Sequence, residues 1–354
     1  MSQENFTLES VKEYYGKVLS GSKDLKTSAC CISGNVPSYQ KEVLSKIHSE
    51  VLEKFYGCGS PIPLALKGKT VLDLGSGSGR DVYLIAGLAG KGSRVIGIDM
   101  TDEQLSVAKA HLSYHEKAFG LESGSISFRK GFIEDLITAD IADNSVDVVV
   151  SNCVINLSPN KKKVFQEIMR VLKPGGELLF SDVFCSRRLP KEFSQDPVLL
   201  GECLGGALYT EDMRRIFSEL GVKDFRVLSN SKLIISDEAI ARKLEGYTFS
   251  STTLRAFKLD LEDRCEDFGQ VANYKGGIPN SERFFVLDDH HVFEQGKPML
   301  VCGNTADMLS QTRFGEYFQV TGDKSKHFGL FDCAPAPTLV DTKVDAKTPQ
   351  GACC

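Results

Sequence analysis

No run of about 18 or more apolar residues occurs in the 354-residue chain, so no membrane-spanning helix is expected. The N-terminus, MSQENFTLES, lacks the basic-then-apolar layout of a secretory signal, and the cytosol becomes the expected compartment. An excess of basic residues is missing too. Lys and Arg number 42 against 47 Asp and Glu, a net charge of -5 that argues against a nucleic-acid partner, because phosphate contacts need a basic face. Absent as well are a Cys-x-x-Cys pair, which weakens a structural zinc reading, a histidine in a recognisable catalytic motif, and an internal repeat.

Cysteine is what the chain has instead. Disulfide frameworks belong to small secreted domains, so 11 cysteines in a cytosolic chain point to metal binding, catalysis or redox chemistry. Two pairs are adjacent, Cys30-Cys31 and Cys353-Cys354, a spacing that makes closure within a pair awkward. The length allows two or three domains, and 42% hydrophobic with 25% charged residues is a globular composition.

Helical spacing marks residues 8–20 and 40–56, the second through Val43, Leu44, Ile47, Val51, Leu52 and Phe55. From Thr70 strands and helices alternate: TVLDLG, a helix near 80–89, RVIGID, a helix near 102–119, SISFRKG, SVDVVVSN, a helix near 160–172, a KPGG turn and ELLFSDV. That order implies a parallel sheet covered on both faces. A helix in ALYTEDMRRIFSELG and late strands in FRVLSN and KLIIS follow. The expected division is a helical N-terminal extension over 1–60, a doubly wound α/β domain over 61–235, a smaller α+β module over 236–333 with RFFVLDDHHVFEQGKPMLV as a hairpin, and a mobile tail over 334–354. His111 and His115, one helical turn apart, fit a solvated helix face, and His290-His291 in the hairpin is assigned no chemistry.

LDLGSGSGRD follows the first strand and opens a helix. Gly75, Gly77 and Gly79 permit close backbone approach, and the helix start behind them presents unpaired amides. Asp99 ends the second strand, where a carboxylate can accept both hydroxyls of a ribose. A dinucleotide dehydrogenase would need a third glycine at Ser78 or Arg80, and neither position has one.

At these residues the chain resembles class I S-adenosylmethionine-dependent methyltransferases, through VLDLGSGSGRD, GIDM, GFIEDL and VLKPGGEL across roughly residues 65–185. The resemblance implies a Rossmann-like sheet in which Leu74, Gly75 and Gly77 line the methionine portion of the cofactor, Asp99 holds the ribose, Met100 packs on the adenine, and Ile133 and Glu134 border it. In that fold the ligand lies beyond the carboxyl ends of the strands, so Cys153 in SNCVINL is expected beside the sulfonium. Cys58 in FYGCGSPIP and Cys203 in LLGECLGGALY occupy glycine-rich segments expected to be flexible enough to reach the same pocket.

With FYGCG, VSNCVINL, GECLGGALY, NYKGGI, HHVFEQG and the terminal GACC, the chain resembles the arsenic(III) methyltransferases of animals over nearly its whole length. The resemblance implies Cys58, Cys153 and Cys203 as arsenic ligands, Cys31 or Cys30 as an N-terminal redox cysteine, and Tyr56, Arg80 and Asn152 as further cofactor residues. It implies trivalent arsenicals as substrate, thioredoxin or glutathione as thiol reductant, and a monomer. The chemistry is consistent with the residues themselves. Trivalent arsenic is thiol-seeking, three thiolates bind it as a pyramid, and its lone pair attacks a methyl carbon without losing a proton, so no general base is required. Two other readings stay open: a methyltransferase for an organic carbon or oxygen nucleophile, and a non-catalytic protein that sequesters metalloids.

Overall fold

The computed structural model describes residues 36–55, 57 and 59–333. The expected helix over 8–20, Cys30, Cys31, Tyr56, Cys58 and the tail from 334 lie outside the described residues. Strands β1 (Thr70–Leu74), β2 (Arg94–Asp99), β3 (Ile126–Lys130), β4 (Val146–Asn152) and β5 (Leu172–Cys185) are parallel neighbours in the order β3-β2-β1-β4-β5. The two-residue β6 (Leu208–Tyr209) pairs with the end of β5, and β7 (Phe225–Lys232) and β8 (Phe249–Phe257) complete the sheet in the order β5-β8-β7. The central strands are rich in Val, Leu and Ile on both faces because both faces are covered. Val71, Val148 and Val150 pack with Val82 and Tyr83 on one face, while Leu72, Leu74 and Val149 pack with Phe165 and Phe180 on the other, the two-residue alternation of a strand.

Helices Arg80–Ala89, Lys161–Val171 and Thr210–Glu219 fall where the periodicity predicts them. The expected helix over 40–56 is two short ones, Ser38–Leu44 and Ser49–Glu53, and the one over 102–119 breaks at His111 into Asp102–Ala110 and Leu112–Ala118. His115 is core rather than solvated: fully buried, it stacks on Tyr83 with ring centroids 3.6 Å apart and accepts the His48 N–H at 3.1 Å. Burial holds its pKa down at about 4.

The boundary expected at 235/236 falls inside the sheet. Strand β8 pairs antiparallel with β5 from Glu177↔Phe257 to Cys185↔Phe249 and with β7 on its other side. KLIIS forms no strand of its own, and KPGG is a bulge within β5, where the register jumps from Val146↔Leu172 to Val148↔Glu177. Gly175 in that bulge has φ +75, and a Cβ there would lie 2.4 Å from the Gln311 carbonyl oxygen of the C-terminal module.

That module contains β9 (Glu266–Asp267), β10 (Gln270–Tyr274), the expected hairpin as β11 (Phe284–Val286) and β12 (Val292–Glu294), β13 (Pro298–Val301), β14 (Phe318–Thr321) and β15 (Gly329–Leu330). β13-β10-β14 form an antiparallel sheet, so β13 leaves the hairpin to pair with β10. Tyr274, Phe285, Phe293, Phe314 and Phe318 build a separate aromatic core. An ion cluster joins module to sheet. Glu177, fully buried on β5, accepts from Arg255 Nε at 2.6 Å and pairs with Arg313, whose Nε reaches Leu64 O at 2.9 Å. Burial pushes the Glu177 carboxyl up, and the two guanidiniums overcome it and hold the pKa below the ordinary value. No helix among the described residues is long and apolar enough to cross a membrane.

Candidate active site

A cleft opens at the carboxyl ends of β1, β2 and β4, the ligand position of an open α/β sheet. The glycine loop forms one wall. Gly75, at φ +69, could not carry a Cβ, which would lie 2.4 Å from the Val154 side chain; Gly79, at φ +90, caps the helix, and a Cβ there would lie 2.7 Å from the Phe128 ring. The Gly77 amide donates to Asp99 Oδ2 at 2.9 Å and the Thr101 amide to Oδ1 at 2.8 Å. Burial raises the Asp99 pKa and these amides oppose it. Each carboxylate oxygen has two lone pairs, so acceptor capacity for a diol remains.

Gly75, Gly77, Asp99, Met100, Ile133, Glu134, Asn152 and Cys153, all candidates from the sequence, line this cleft. Two expected residues do not. The Leu74 side chain points into the core, and Arg80 lies over the Phe55 ring at 4.2 Å while paired with Asp81. Arg80 is buried in the helix's first turn and braces the loop.

Sequence reasoning passed over two carboxylates. Asp73, in the middle of the apolar β1, and Asp81 both line the cleft. Asp73 accepts no hydrogen bond among the described residues, and its pKa lies well above the ordinary value through burial first, then repulsion from Asp81 and Asp99. Asp73, Asp81, Asp99 and Glu134 face one pocket in which Lys54 is the single basic lining residue, a balance that favours a cationic ligand. An acid inside a buried strand was the available signal.

Cys153 and Cys203 share an unusual backbone. Six non-glycine residues among those described have positive φ; Asn and Asp commonly adopt it, but Cys153 and Cys203, each at φ 60, do not. The Cys203 Sγ lies 3.3 Å from the Cys153 carbonyl oxygen, and both residues are buried. Both segments are tied down by backbone hydrogen bonds, against the flexibility expected around Cys203. Cys153 N–H donates to Ser181 O at 2.8 Å and Cys203 N–H to Leu200 O at 2.9 Å. A Cβ on Gly205 or Gly206 would lie 2.3 Å from Phe193 O or 2.0 Å from Asn156 O, so these glycines serve close packing. Asn156 in turn donates its side-chain amide to Asp182 Oδ1 at 2.7 Å; burial pushes Asp182 up to about 7 and the neighbouring Lys161 down to about 8.

Cys58 is outside the described residues, but both its neighbours are held at this end of the sheet. Asn152 accepts the Gly59 N–H at 3.2 Å and donates to Gly59 O at 3.0 Å and to Asp81 Oδ2 at 2.9 Å. A Cβ on Gly59 would lie 2.4 Å from Ser181 Oγ, and one on Gly57 would lie 2.7 Å from the Asn152 amide nitrogen.

Two family models match the chain: a methyltransferase domain over residues 65–221 and an arsenite methyltransferase C-terminal domain over residues 269–353. Arsenite methyltransferase from Aquipseudomonas alcaligenes is 52% identical over 347 residues, 98% of this chain and 99% of that protein. The human arsenite methyltransferase is 41% identical over 314 residues, 88% of this chain and 82% of its own. The crystal structure of CrArsM, an arsenic(III) S-adenosylmethionine methyltransferase from Chlamydomonas reinhardtii, covers 84% of this chain and 100% of its own at 46% identity, with a TM-score of 0.81. With these identities carried across nearly its whole length, the chain belongs to the arsenite methyltransferase family.

Proposed function

We propose that Cys58, Cys153 and Cys203 hold trivalent arsenic as a three-thiolate pyramid at the mouth of the cleft, with the lone pair directed at the bound methyl donor. As a family member the chain is an S-adenosylmethionine-dependent arsenite methyltransferase. The observation that carries the ligand assignment is the meeting of two buried cysteines in the left-handed conformation, Cys203 Sγ against Cys153 O, beside the acid-lined cleft. The anchoring of Gly57 and Gly59 on Asn152 and Ser181 supports Cys58 as the third ligand.

S-adenosylmethionine supplies an electrophilic methyl carbon on a cationic sulfur. The residues around it have these roles in our reading. Asp99 takes the ribose hydroxyls, and Gly75, Gly77 and the Leu74 backbone leave room for the methionine portion. Met100, Ile133 and Glu134 border the adenine. Tyr56, as a further contact, rests on the resemblance alone. Asp73 and Asp81 favour the positive charge, and Arg80 and Asn152 act through their neighbours by fixing the loop and residue 59. Dry surroundings strengthen these electrostatic terms. Holding the substrate in line with the donor converts an encounter into a unimolecular step.

The arsenic lone pair forms the As–C bond as the S–C bond breaks, which leaves arsenic formally pentavalent. Two electrons restore the trivalent state. In our reading Cys58 and Cys31 or Cys30 provide them by closing a disulfide, which thioredoxin reopens more readily than glutathione because of its lower potential. The reading places the enzyme in the cytosol as a monomer. Purified protein given arsenite, a thiol and labelled S-adenosylmethionine should yield methylated arsenicals. Cys153→Ser and Cys203→Ser should abolish methylation of both arsenite and monomethylarsenite. Cys58→Ser should retain the second, since monomethylarsenite needs only two thiolates. Equal activity of Cys58→Ser on both substrates removes Cys58 from the site. Peptide mapping after a turnover without reductant should recover the Cys31–Cys58 or Cys30–Cys58 bridge, and both N-terminal thiols reduced after product formation would exclude it.

A further inference from the structure

The C-terminal module contains a second sulfur constellation. Cys265 precedes β9, Cys302 precedes the helix Gly303–Ser310, and Cys333 follows β15, yet their three sulfurs all lie within 4.8 Å of one another. Backbone pairing puts them there. β9 and β15 pair through Asp267↔Gly329 and Glu266↔Leu330, and the Phe331 N–H donates to Cys265 O at 2.8 Å, so Cys333 is set beside Cys265. Cys302 is fully buried, with its Sγ 3.3 Å from Thr305 Oγ1. Cys265 and Cys333 are half-buried and line a cleft of about 720 Å³ that also holds Arg226, Asp288 and His290.

The donor set selects its ligand. No histidine or carboxylate among the described residues joins the three sulfurs within that range. The one buried carboxylate of the cleft wall, Asp288, is engaged by Arg226 at 3.1 Å and His291 at 2.8 Å. A structural zinc ion takes four protein ligands, and here there are three. Three soft thiolates without a fourth donor suit a centre whose remaining position is a lone pair. Arg226, on β7, brings a positive charge to the same cleft, paired with Asp224 and Asp288.

We propose that Cys265, Cys302 and Cys333 form a second trithiolate site for trivalent arsenic or antimony, apart from the transfer site. Binding of arsenous acid forms three As–S bonds and releases three waters, one per thiol, with no change of oxidation state. Arg226 lies level with Arg255 of β8, Leu179 of β5 and Val150 of β4, three residues before Cys153. β7 and β4 are three strand steps apart, about 14 Å across the sheet. The site therefore captures substrate without presenting it to the methyl donor. The inference rests on arsenite as substrate, and not on the assignment of Cys58, Cys153 and Cys203.

The test uses the full chain, reduced, with Cys153→Ser and Cys203→Ser so that the transfer site is disabled. It is loaded with arsenite and desalted, and arsenic per chain is counted by mass spectrometry. X-ray absorption then counts the sulfur neighbours. Further replacement of Cys265→Ser and Cys333→Ser should remove one arsenic per chain, the population with three sulfur neighbours. Unchanged stoichiometry or coordination would overturn the proposal, as would tightly bound zinc that arsenite fails to displace. Cys333→Ser alone, at a half-exposed position near the end of the described chain, guards against misfolding. It should keep the circular dichroism of the parent while lowering the coordination at this site from three sulfurs to two, and retained three-sulfur coordination counts against the site.

Discussion

Replacing Cys203 by alanine and by glycine separates the sulfur from the backbone it is mounted on. Both substitutions remove the Sγ that lies 3.3 Å from Cys153 O, and they differ only in the Cβ. At an ordinary position alanine is the more stable of the two by about 0.4–1 kcal/mol, because glycine leaves the unfolded chain more freedom. At φ 60 the Cβ crowds the following carbonyl, a cost of roughly 1–2 kcal/mol that glycine does not carry. The two terms oppose, and the steric one is larger. Cys203→Gly should therefore exceed Cys203→Ala in stability by about 0.5–1 kcal/mol, and the same inversion should hold at Cys153. Cys185, fully buried on the regular strand β5, is the control and should keep the usual order, alanine above glycine. The assay is urea denaturation followed by far-UV circular dichroism, since the chain has no tryptophan to report by fluorescence. All four variants at 153 and 203 should be inactive on arsenite. An alanine variant at either position as stable as its glycine counterpart would refute the idea that the fold holds these two sulfurs against local strain.

Asp99→Ala should weaken S-adenosylmethionine binding in calorimetry by roughly 1.5–3 kcal/mol for each charge-assisted bond lost, while arsenite capture survives. Asp73→Asn should weaken cofactor binding too, yet make the ligand-free protein more stable at neutral pH. The fold raises the Asp73 pKa, so its stabilising contribution is complete below the unfolded value of about 3.9 and is lost as pH rises through the folded value. A plot of unfolding free energy against pH should consequently fall less steeply above about pH 4 in Asp73→Asn than in the parent, and parallel plots would contradict the burial argument. Glu177→Gln should cost about 3–5 kcal/mol, because it strands two buried guanidiniums; a loss under about 1 kcal/mol, the scale of an exposed pair, would show that water reaches the cluster.

Strands β1 to β5, the glycine loop and Asp99 were legible because each is written locally, in apolar runs and in a turn only glycine fits. Strand β8 was not. Its sequence, FSSTTLRAF, reads as polar surface, but Thr253 hydrogen-bonds Ser181 at 2.6 Å and Arg255 meets Glu177, so polar side chains fill the middle of a sheet. His115 was misjudged for a related reason. Its helix spacing matches a solvated face, and it is covered by tertiary packing against Tyr83 and the segment around His48. For Cys153 and Cys203 the residue types were readable. The left-handed backbone that aims them depends on partners such as Ser181 and Leu200 that are distant in sequence or fixed by the tertiary fold.

The Glu177 cluster and the fit of Gly175 against Gln311 bear on how freely this molecule can be cut or recombined. A fragment ending near residue 260 would retain Glu177 and Arg255 but lose Arg313, exposing the apolar surface around Phe257 and leaving a charged group short of its second counterion. Grafting a foreign C-terminal module would fail on the same ground unless the donor supplied an arginine at position 313 and a carbonyl at the distance the bulge tolerates. The two halves are thus bound into one cooperative unit, whose thermal unfolding should proceed as a single transition.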